Sequence, residues 1–124
     1  MALILDKSIQ ELVWNETTQL EELAYTNLTY KDKYGDERDN PYLVIDEVHL
    51  NKRAKQGKVI ISIFKNKAAR NDERVPIHEQ GFSFGADIMG IYFTKALLSA
   101  NDLYKLAYDY VQAIHFPNWM TDEE

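Results

Sequence analysis

The stretch from Tyr42 to Phe64 decides the fold, and it reads YLVIDEVHLNKRAKQGKVIISIF. Two runs rich in β-branched and apolar residues, 42–50 and 58–64, flank the polar segment 51–57, which ends in glycine. Two such runs joined by a short polar loop with a glycine are typical of a β-hairpin. We therefore predict two antiparallel strands in the middle of the chain.

A third strand and a helix are predicted after this hairpin. Residues 75–84 read VPIHEQGFSF, and Pro76, which has no amide donor, belongs at the start of a strand or on a sheet edge. Farther on, apolar residues recur at helical spacing and form one stripe, which ends before Pro117. The stripe consists of Leu103, Leu106, Ala107, Tyr110, Val111 and Ile114. The predicted fold class is α+β: an antiparallel β-meander of three or four strands with an amphipathic C-terminal helix packed on one face.

The N-terminal part of the chain fits two local patterns. Ser8–Glu11 and Thr18–Glu21 have the spacing of a helix capping box, whereas residues 24–30 alternate as a strand does. We predict a short helix or turn near residues 8–22, followed by a strand near residues 24–31.

The length of 124 residues and the absence of a linker-like tract predict one domain, 1–124. A polar loop is expected near residues 31–41, where Gly and Asn-Pro punctuate the sequence, and a short C-terminal tail at 116–124. The chain has no cysteine, which excludes disulfides, thiolate zinc sites and a cysteine nucleophile and is typical of a cytosolic protein.

Charge is distributed unevenly along the chain, whose formal net charge is −6. Between Asn51 and Arg70 there are seven basic residues and no acidic one. We predict that Lys52, Arg53 and Lys55 form an interface with an acidic protein surface, such as the loop at 36–39 or the C-terminal tail of a neighbouring copy. The alternatives are a solvated loop and a nucleic-acid contact. Nucleic acid is disfavoured because the whole chain is acidic and no base-stacking aromatic residues are interleaved with the basic run.

No motif for catalysis, cofactor binding or metal binding is recognisable. His49, His78 and His115 lack the close spacing of a metal-ligand pair, and the sequence has neither a glycine-rich phosphate loop nor a nucleophile elbow. We therefore expect no enzymatic activity and no need for a metal, a nucleotide or another cofactor. No membrane partner is expected either, because the longest stretch without a charged residue, 110–121, is too short to span a bilayer.

Large apolar residues follow the predicted helix. Phe116, Trp119 and Met120 lie at or beyond Pro117, and residues of this kind near a terminus either fold back on their own domain or dock on a partner. Docking is a candidate because Trp and Met are enriched at interfaces. The acids at 122–124 are then expected to pair with a neighbour's basic hairpin.

The stretch from Tyr42 to Tyr110 resembles small virion-associated proteins of tailed bacteriophages, of the tail and head–tail region. The resemblance is carried by five short pieces: YLVI at 42–45, Ala69-Arg70, Pro76-Ile77, FSF at 82–84 and AYDY at 107–110. It implies a virion structural protein that is assembled in the host cytoplasm and contacts other copies of itself and other virion proteins, with no catalytic residues.

Three hypotheses of function follow. The first is a non-enzymatic structural subunit of a bacteriophage tail, neck or fibre, acting through protein–protein contacts in a multi-copy assembly. It fits the segregated charge and the abundance of Tyr and Trp. The second is a bacterial cytosolic adaptor or small regulatory binding domain, which works as a monomer or dimer. The third is a small enzyme of unrecognised type.

Overall fold

The computed structural model describes residues 1–122, which form nine strands and four α-helices. The strands are β1 (Ala2–Leu5), β2 (Gln10–Asn15), β3 (Leu20–Tyr25), β4 (Tyr30–Lys31), β5 (Glu37–Arg38), β6 (Tyr42–Asn51), β7 (Gln56–Phe64), β8 (His78–Phe84) and β9 (Trp119–Asp122). The helices are α1 (Lys67–Asn71), α2 (Ala86–Tyr92), α3 (Lys95–Ala100) and α4 (Leu103–Tyr110). A π-helical turn, Val111–His115, continues α4 directly.

Five strands form the main sheet in the order β8-β7-β6-β1-β9, with every neighbouring pair antiparallel. The mixed α and β composition and the antiparallel pairing expected from the sequence are confirmed. The expected meander consists of β6, β7 and β8, but the sheet has five strands rather than three or four. The two additional strands come from the ends of the chain: β1 pairs with β6, and β9 pairs with β1.

The expected helix or turn near residues 8–22 is wrong. This segment forms the hairpin β2–β3, a separate two-stranded sheet. The strand expected near residues 24–31 overlaps only the end of β3 and the short β4. Thr18 does not cap a helix; its hydroxyl is hydrogen-bonded to the Glu22 carboxylate across the hairpin turn. Local spacing alone therefore cannot distinguish a capping box from a polar turn.

The core lies on one face of the main sheet. Alternate residues of the strands and residues of the helical segments form one buried cluster, and the second face carries a smaller one. The first cluster includes Leu3, Leu5, Leu43, Ile45, Val59, Ile61 and Ile63 from the strands and Met89, Leu106, Ala107 and Tyr110 from the helices. The second contains Ala2, Tyr42, Val44 and Phe64. The start of β6 is thus buried on both faces, which explains its uninterrupted apolar run.

A β-bulge in β6 connects the sheet to α4. The register between β6 and β7 shifts between Ile45 and Glu47, which leaves Asp46 as the extra residue. The Ile45 amide donates to the Tyr108 hydroxyl at 3.0 Å, and the Tyr104 hydroxyl donates to the Asp46 carbonyl at 3.4 Å. The two tyrosines are four residues apart and share one face of α4. The two hydroxyls are thus hydrogen-bond partners for backbone groups of β6 that lie beyond its pairing with the short strand β1.

Gly57 makes room for aromatic packing at the start of β7. The Phe84 ring stacks on Phe93 with centroids 5.1 Å apart and meets Tyr110 edge-on at 4.9 Å. A Cβ atom on Gly57 would lie 2.6 Å from the Phe84 ring and 2.8 Å from the His49 carbonyl oxygen. Because the second contact is with backbone, a side chain here cannot be accommodated by a rotamer change alone.

We expect Gly57→Ala to lower the free energy of unfolding by about 1–3 kcal/mol, the usual cost of overpacking. The control is Gly90→Ala in α2, where an added Cβ meets nothing within 4 Å. That variant should be neutral or stabilising by about 0.5–1 kcal/mol, since Ala is the better helix former. Urea titrations of both variants measure the difference, and equal stabilities would contradict the assigned contact.

His115 lies in a partly buried aromatic environment at the end of the π-helical turn. Its ring stacks on Phe82 with centroids 3.8 Å apart, and its Nε2 lies 2.8 Å from the Tyr110 hydroxyl. Burial lowers the pKa of His115 below its usual value of 6.5, because it disfavours the imidazolium. The folded state therefore holds this proton less tightly than the unfolded state.

The stability of the domain should consequently fall as the pH drops through about 6.5, because the unfolded chain takes up the proton first. We expect the melting temperature to decline less steeply over this range in His115→Gln than in the unsubstituted protein. His49→Gln is the control, since the His49 side chain is 64% exposed. Thermal melts across the pH series test this, and identical slopes for all three proteins would refute the role assigned to His115.

Candidate functional site

The three histidines lie on separate elements: His49 on β6, His78 on β8 and His115 on the π-helical turn. Among residues 1–122, no group of three or more His, Asp or Glu side chains is arranged to hold a metal ion. None of the helices in this range has the length and apolarity needed to cross a bilayer.

Asp32 is the one buried acid among residues 1–122, and its role is structural. Its carboxylate accepts hydrogen bonds from the amides of Tyr34 and Asp36 and from Nε of Arg38, at 2.9, 3.0 and 3.3 Å. Burial alone would raise the pKa of Asp32, but these donors outweigh it and the pKa lies below its usual value. The carboxylate therefore stabilises the turn between β4 and β5, in which Gly35 has a φ of +86°.

A cavity of about 530 Å³ lies where β1 meets β9. Ile4 and Met120 contribute apolar surface, and Lys67, whose Nζ lies 3.9 Å from the Asp122 carboxylate, lies at its border. The cavity thus combines an apolar wall with charged groups, of which Lys67 and Asp122 face each other.

The basic residues expected at an interface are all exposed on the turn between β6 and β7. Lys52, Arg53 and Lys55 project there, and Lys55 has a φ of +53°. The Asn51 side chain holds the turn by accepting a hydrogen bond from the Ala54 amide at 3.0 Å. This group is called the basic turn below.

The seven basic residues between Asn51 and Arg70, here called the basic window, do not form one surface. β7 runs from the basic turn to the opposite end of the sheet, so Lys65 and Arg70 lie far from Lys52. The nine residues of β7 correspond to roughly 30 Å of strand. Contact through the basic turn therefore involves only part of the charge that the sequence places in the window.

A small cavity of about 280 Å³ lies beside the basic turn. Met89, Phe93 and Leu98 give it an apolar floor, and Lys52 and Lys95 flank it. Within residues 1–122, no acidic side chain lines it. We call it the α2–α3 pocket.

The C-terminal residues expected at an interface divide between core and surface. Trp119 is only 6% exposed and pairs with Leu5 inside the sheet, and Phe116 packs edge-on against it at 5.4 Å. The prediction that the whole tail docks on a partner is therefore wrong: residues 119–122 form β9, which completes the sheet of their own domain. Met120 is exposed. Glu123 and Glu124 lie outside the described residues.

The hairpin β2–β3 presents an exposed apolar face that the sequence did not predict as an interface. The register pairs Leu12 with Leu23 and Trp14 with Glu21, which places alternate residues of both strands on one face. Four large side chains of this face remain largely exposed: Leu12 at 65%, Trp14 at 58%, Leu23 at 66% and Tyr25 at 55%. Large apolar side chains exposed together on one face are a common feature of interaction surfaces. We call β2–β3 the arm.

The arm is shaped by its own turn. The Asn15 side-chain oxygen accepts hydrogen bonds from the amides of Thr17 and Thr18, and Asn15 Nδ2 donates to Glu22. Gln19 takes a φ of +54° and its amide donates to the Asn15 carbonyl at 2.7 Å. These contacts allow a hairpin without a glycine in its turn, which removes the usual sequence signal for one.

Asn27 fastens the base of the arm to the main sheet. Its Nδ2 donates to the carbonyl oxygens of Asp6 and Asn118, at the ends of β1 and β9. The strands of the arm contact each other far more than they contact the rest of the domain. The arm is thus anchored at its base and otherwise open to a partner.

All charges on the arm are negative. Between Ser8 and Tyr30 the chain has four glutamates and neither lysine nor arginine. The four are Glu11, Glu16, Glu21 and Glu22. The arm therefore combines an apolar face with an acidic border.

A comparison with protein-family models, with curated proteins and with solved structures finds no match to this chain. The resemblance to bacteriophage virion proteins therefore depends on the short sequence pieces alone.

Because Leu12 is exposed whereas Leu43 is fully buried, the same substitution should have different effects at the two positions. We expect Leu12→Ala to change the free energy of unfolding by no more than about 0.5 kcal/mol, and Leu43→Ala to lower it by about 2–5 kcal/mol. Urea unfolding at low protein concentration measures both. A loss at Leu12 as large as that at Leu43 would show that the arm packs on its own domain.

Proposed function

We propose that this chain is a non-enzymatic structural subunit of a bacteriophage particle, in its tail, neck or fibre region, and that it acts through contacts with other copies and other virion proteins. The single observation that carries the proposal is the arm. A two-stranded hairpin with four exposed large apolar side chains has little stability of its own and gains it when a partner covers that face.

The rest of the molecule supports such a role. The five-stranded sheet and the helical segments provide a rigid body, in which Leu106 and Ala107 share a buried cluster with Leu43 and Ile45. We propose that α4 packs on that face of the sheet and stiffens it. The body then holds the arm and the basic turn at fixed positions, as a repeating subunit requires.

The particle context comes from the sequence resemblance, which also implies localisation in the virion after assembly in the host cytoplasm. No metal, nucleotide or cofactor has a part in this proposal. The work is done by apolar burial and by charge complementarity between subunits.

We expect the purified protein to form assemblies larger than a dimer, with a mean mass that rises with protein concentration. Mass photometry and multi-angle light scattering over a dilution series measure this. Raising the salt concentration should shift the distribution toward smaller species, because salt screens the charge contacts. A stable monomer over the whole series would contradict the proposal, and capture of one bacterial host protein by that monomer would favour an adaptor function instead.

A further inference from the structure

The arm and the basic turn lie at opposite ends of the main sheet. Leu3 pairs with Leu43 in antiparallel register, so β1 ends beside the start of β6, and the arm leaves the body there. The basic turn follows the other end of β6, ten residues away. This corresponds to roughly 30 Å, whereas the six-residue strands of the arm span only about 20 Å. An arm therefore cannot reach the basic turn of its own chain.

The arm and the basic turn carry opposite charge. The arm has four glutamates and no cation, while the basic turn and the α2–α3 pocket bring together Lys52, Arg53, Lys55 and Lys95. The acidic loop at 36–39, also predicted from sequence as a partner of the basic residues, is a poorer match. Arg38 lies within it, and Arg38 is 3.9 Å from the Asp36 carboxylate. The arm is thus the acidic surface best suited to the basic end.

The basic end also offers an apolar site for the arm. The α2–α3 pocket has a floor of Met89, Phe93 and Leu98, and its volume of about 280 Å³ suits one large aromatic side chain. On the arm, Trp14 is the largest exposed side chain, and its cross-strand partner is Glu21. An anchor of this type places an aromatic ring in the pocket and a carboxylate beside the flanking lysines.

We infer that the arm of one copy docks on the basic end of the next copy, with Trp14 in the α2–α3 pocket and with Glu16 and Glu21 facing Lys52 and Lys95. This inference rests on the proposed function and names the contact that it requires. Because the two surfaces are different and lie at opposite ends, the contact is head-to-tail. It closes into a ring if the rotation between neighbours allows, and otherwise extends as a filament.

Two variants test the contact from its two sides. Trp14→Ser with Leu23→Ser removes the apolar anchor, and Lys52→Glu with Lys95→Glu reverses the charge of the receiving pocket. Each should weaken association roughly thirtyfold or more, as loss of an interface hot spot does. The control, Lys65→Glu with Arg70→Glu, changes exposed cations of the same basic window at the other end of β7 and should assemble like the unsubstituted protein. Of the substituted side chains, only Lys52 and Lys95 line the pocket of their own chain. A melting curve for each variant tests whether it still folds.

Mixing the two defective variants is the decisive measurement. The first keeps a functional pocket and the second keeps a functional arm, so together they should form a one-to-one heterodimer and nothing larger. Glu16→Lys with Glu21→Lys, added to the pocket variant, should restore assembly by reversing both charges. Light scattering and mass photometry measure all of these species.

The outcomes separate the inference from the proposed function. Loss of assembly in the arm variant alone would overturn the inference and leave the proposed function intact, since the arm would then dock elsewhere or on another arm. Normal assembly of both variants would also overturn the inference, and it would remove the arm as the basis of the proposed function, because the subunits would then associate through other surfaces. If the unsubstituted protein stays monomeric at every concentration, the proposed function itself fails. Loss of assembly in both variants, with a heterodimer on mixing, supports the head-to-tail contact.

Discussion

The pairing of Leu3 with Leu43 holds the N-terminal strand β1 against β6, and the positions of both exposed extensions depend on it. Both side chains are fully buried, and β1 in turn pairs with β9. Because β1 and β6 are antiparallel neighbours, the connection at residues 6–41 must leave and return at the same end of the sheet. The arm lies in this connection, and the basic turn is forced to the opposite end of β6. The distance between the acidic arm and the basic turn thus follows from strand order rather than from the sequences of these two segments.

The elements that the sequence predicts well are those whose contacts are local. The hairpin β6–β7 follows from two apolar runs and a polar turn, and β8 pairs with β7 next along the chain. In the C-terminal helix, Leu106, Ala107 and Tyr110 are buried as their spacing predicts, but Ile114 is 48% exposed. Val111, at the start of the π-helical turn, is still fully buried, and the wider winding of that turn then rotates Ile114 away from the core.

The features that the sequence does not predict depend on distant residues, or belong to a face that the described part of this chain leaves uncovered. Trp119 is buried because β9 pairs with β1, more than a hundred residues earlier, and no local pattern indicates that contact. On the arm, Leu12 and Leu23 alternate as strand residues do, yet they cover no core of this chain. Apolar periodicity indicates which side chains share a face, but not whether that face is covered by the same chain or by another. The basic turn is exposed, as a polar loop between two strands should be. The α2–α3 pocket beside it brings Lys52 next to residues 89–98, so it can be recognised only from the fold.

Negative charge on the arm gives direction to the association that we propose, which apolar burial alone would leave undirected. Two arms could cover their apolar faces against each other, and their strands have open edges that favour such pairing. Four glutamates without a cation oppose it, because two arms would bring like charges together. The same glutamates are attracted by the basic turn, so one set of charges disfavours the symmetric contact and favours the head-to-tail one. Affinity then resides chiefly in the apolar side chains, while the charges select which surface they meet.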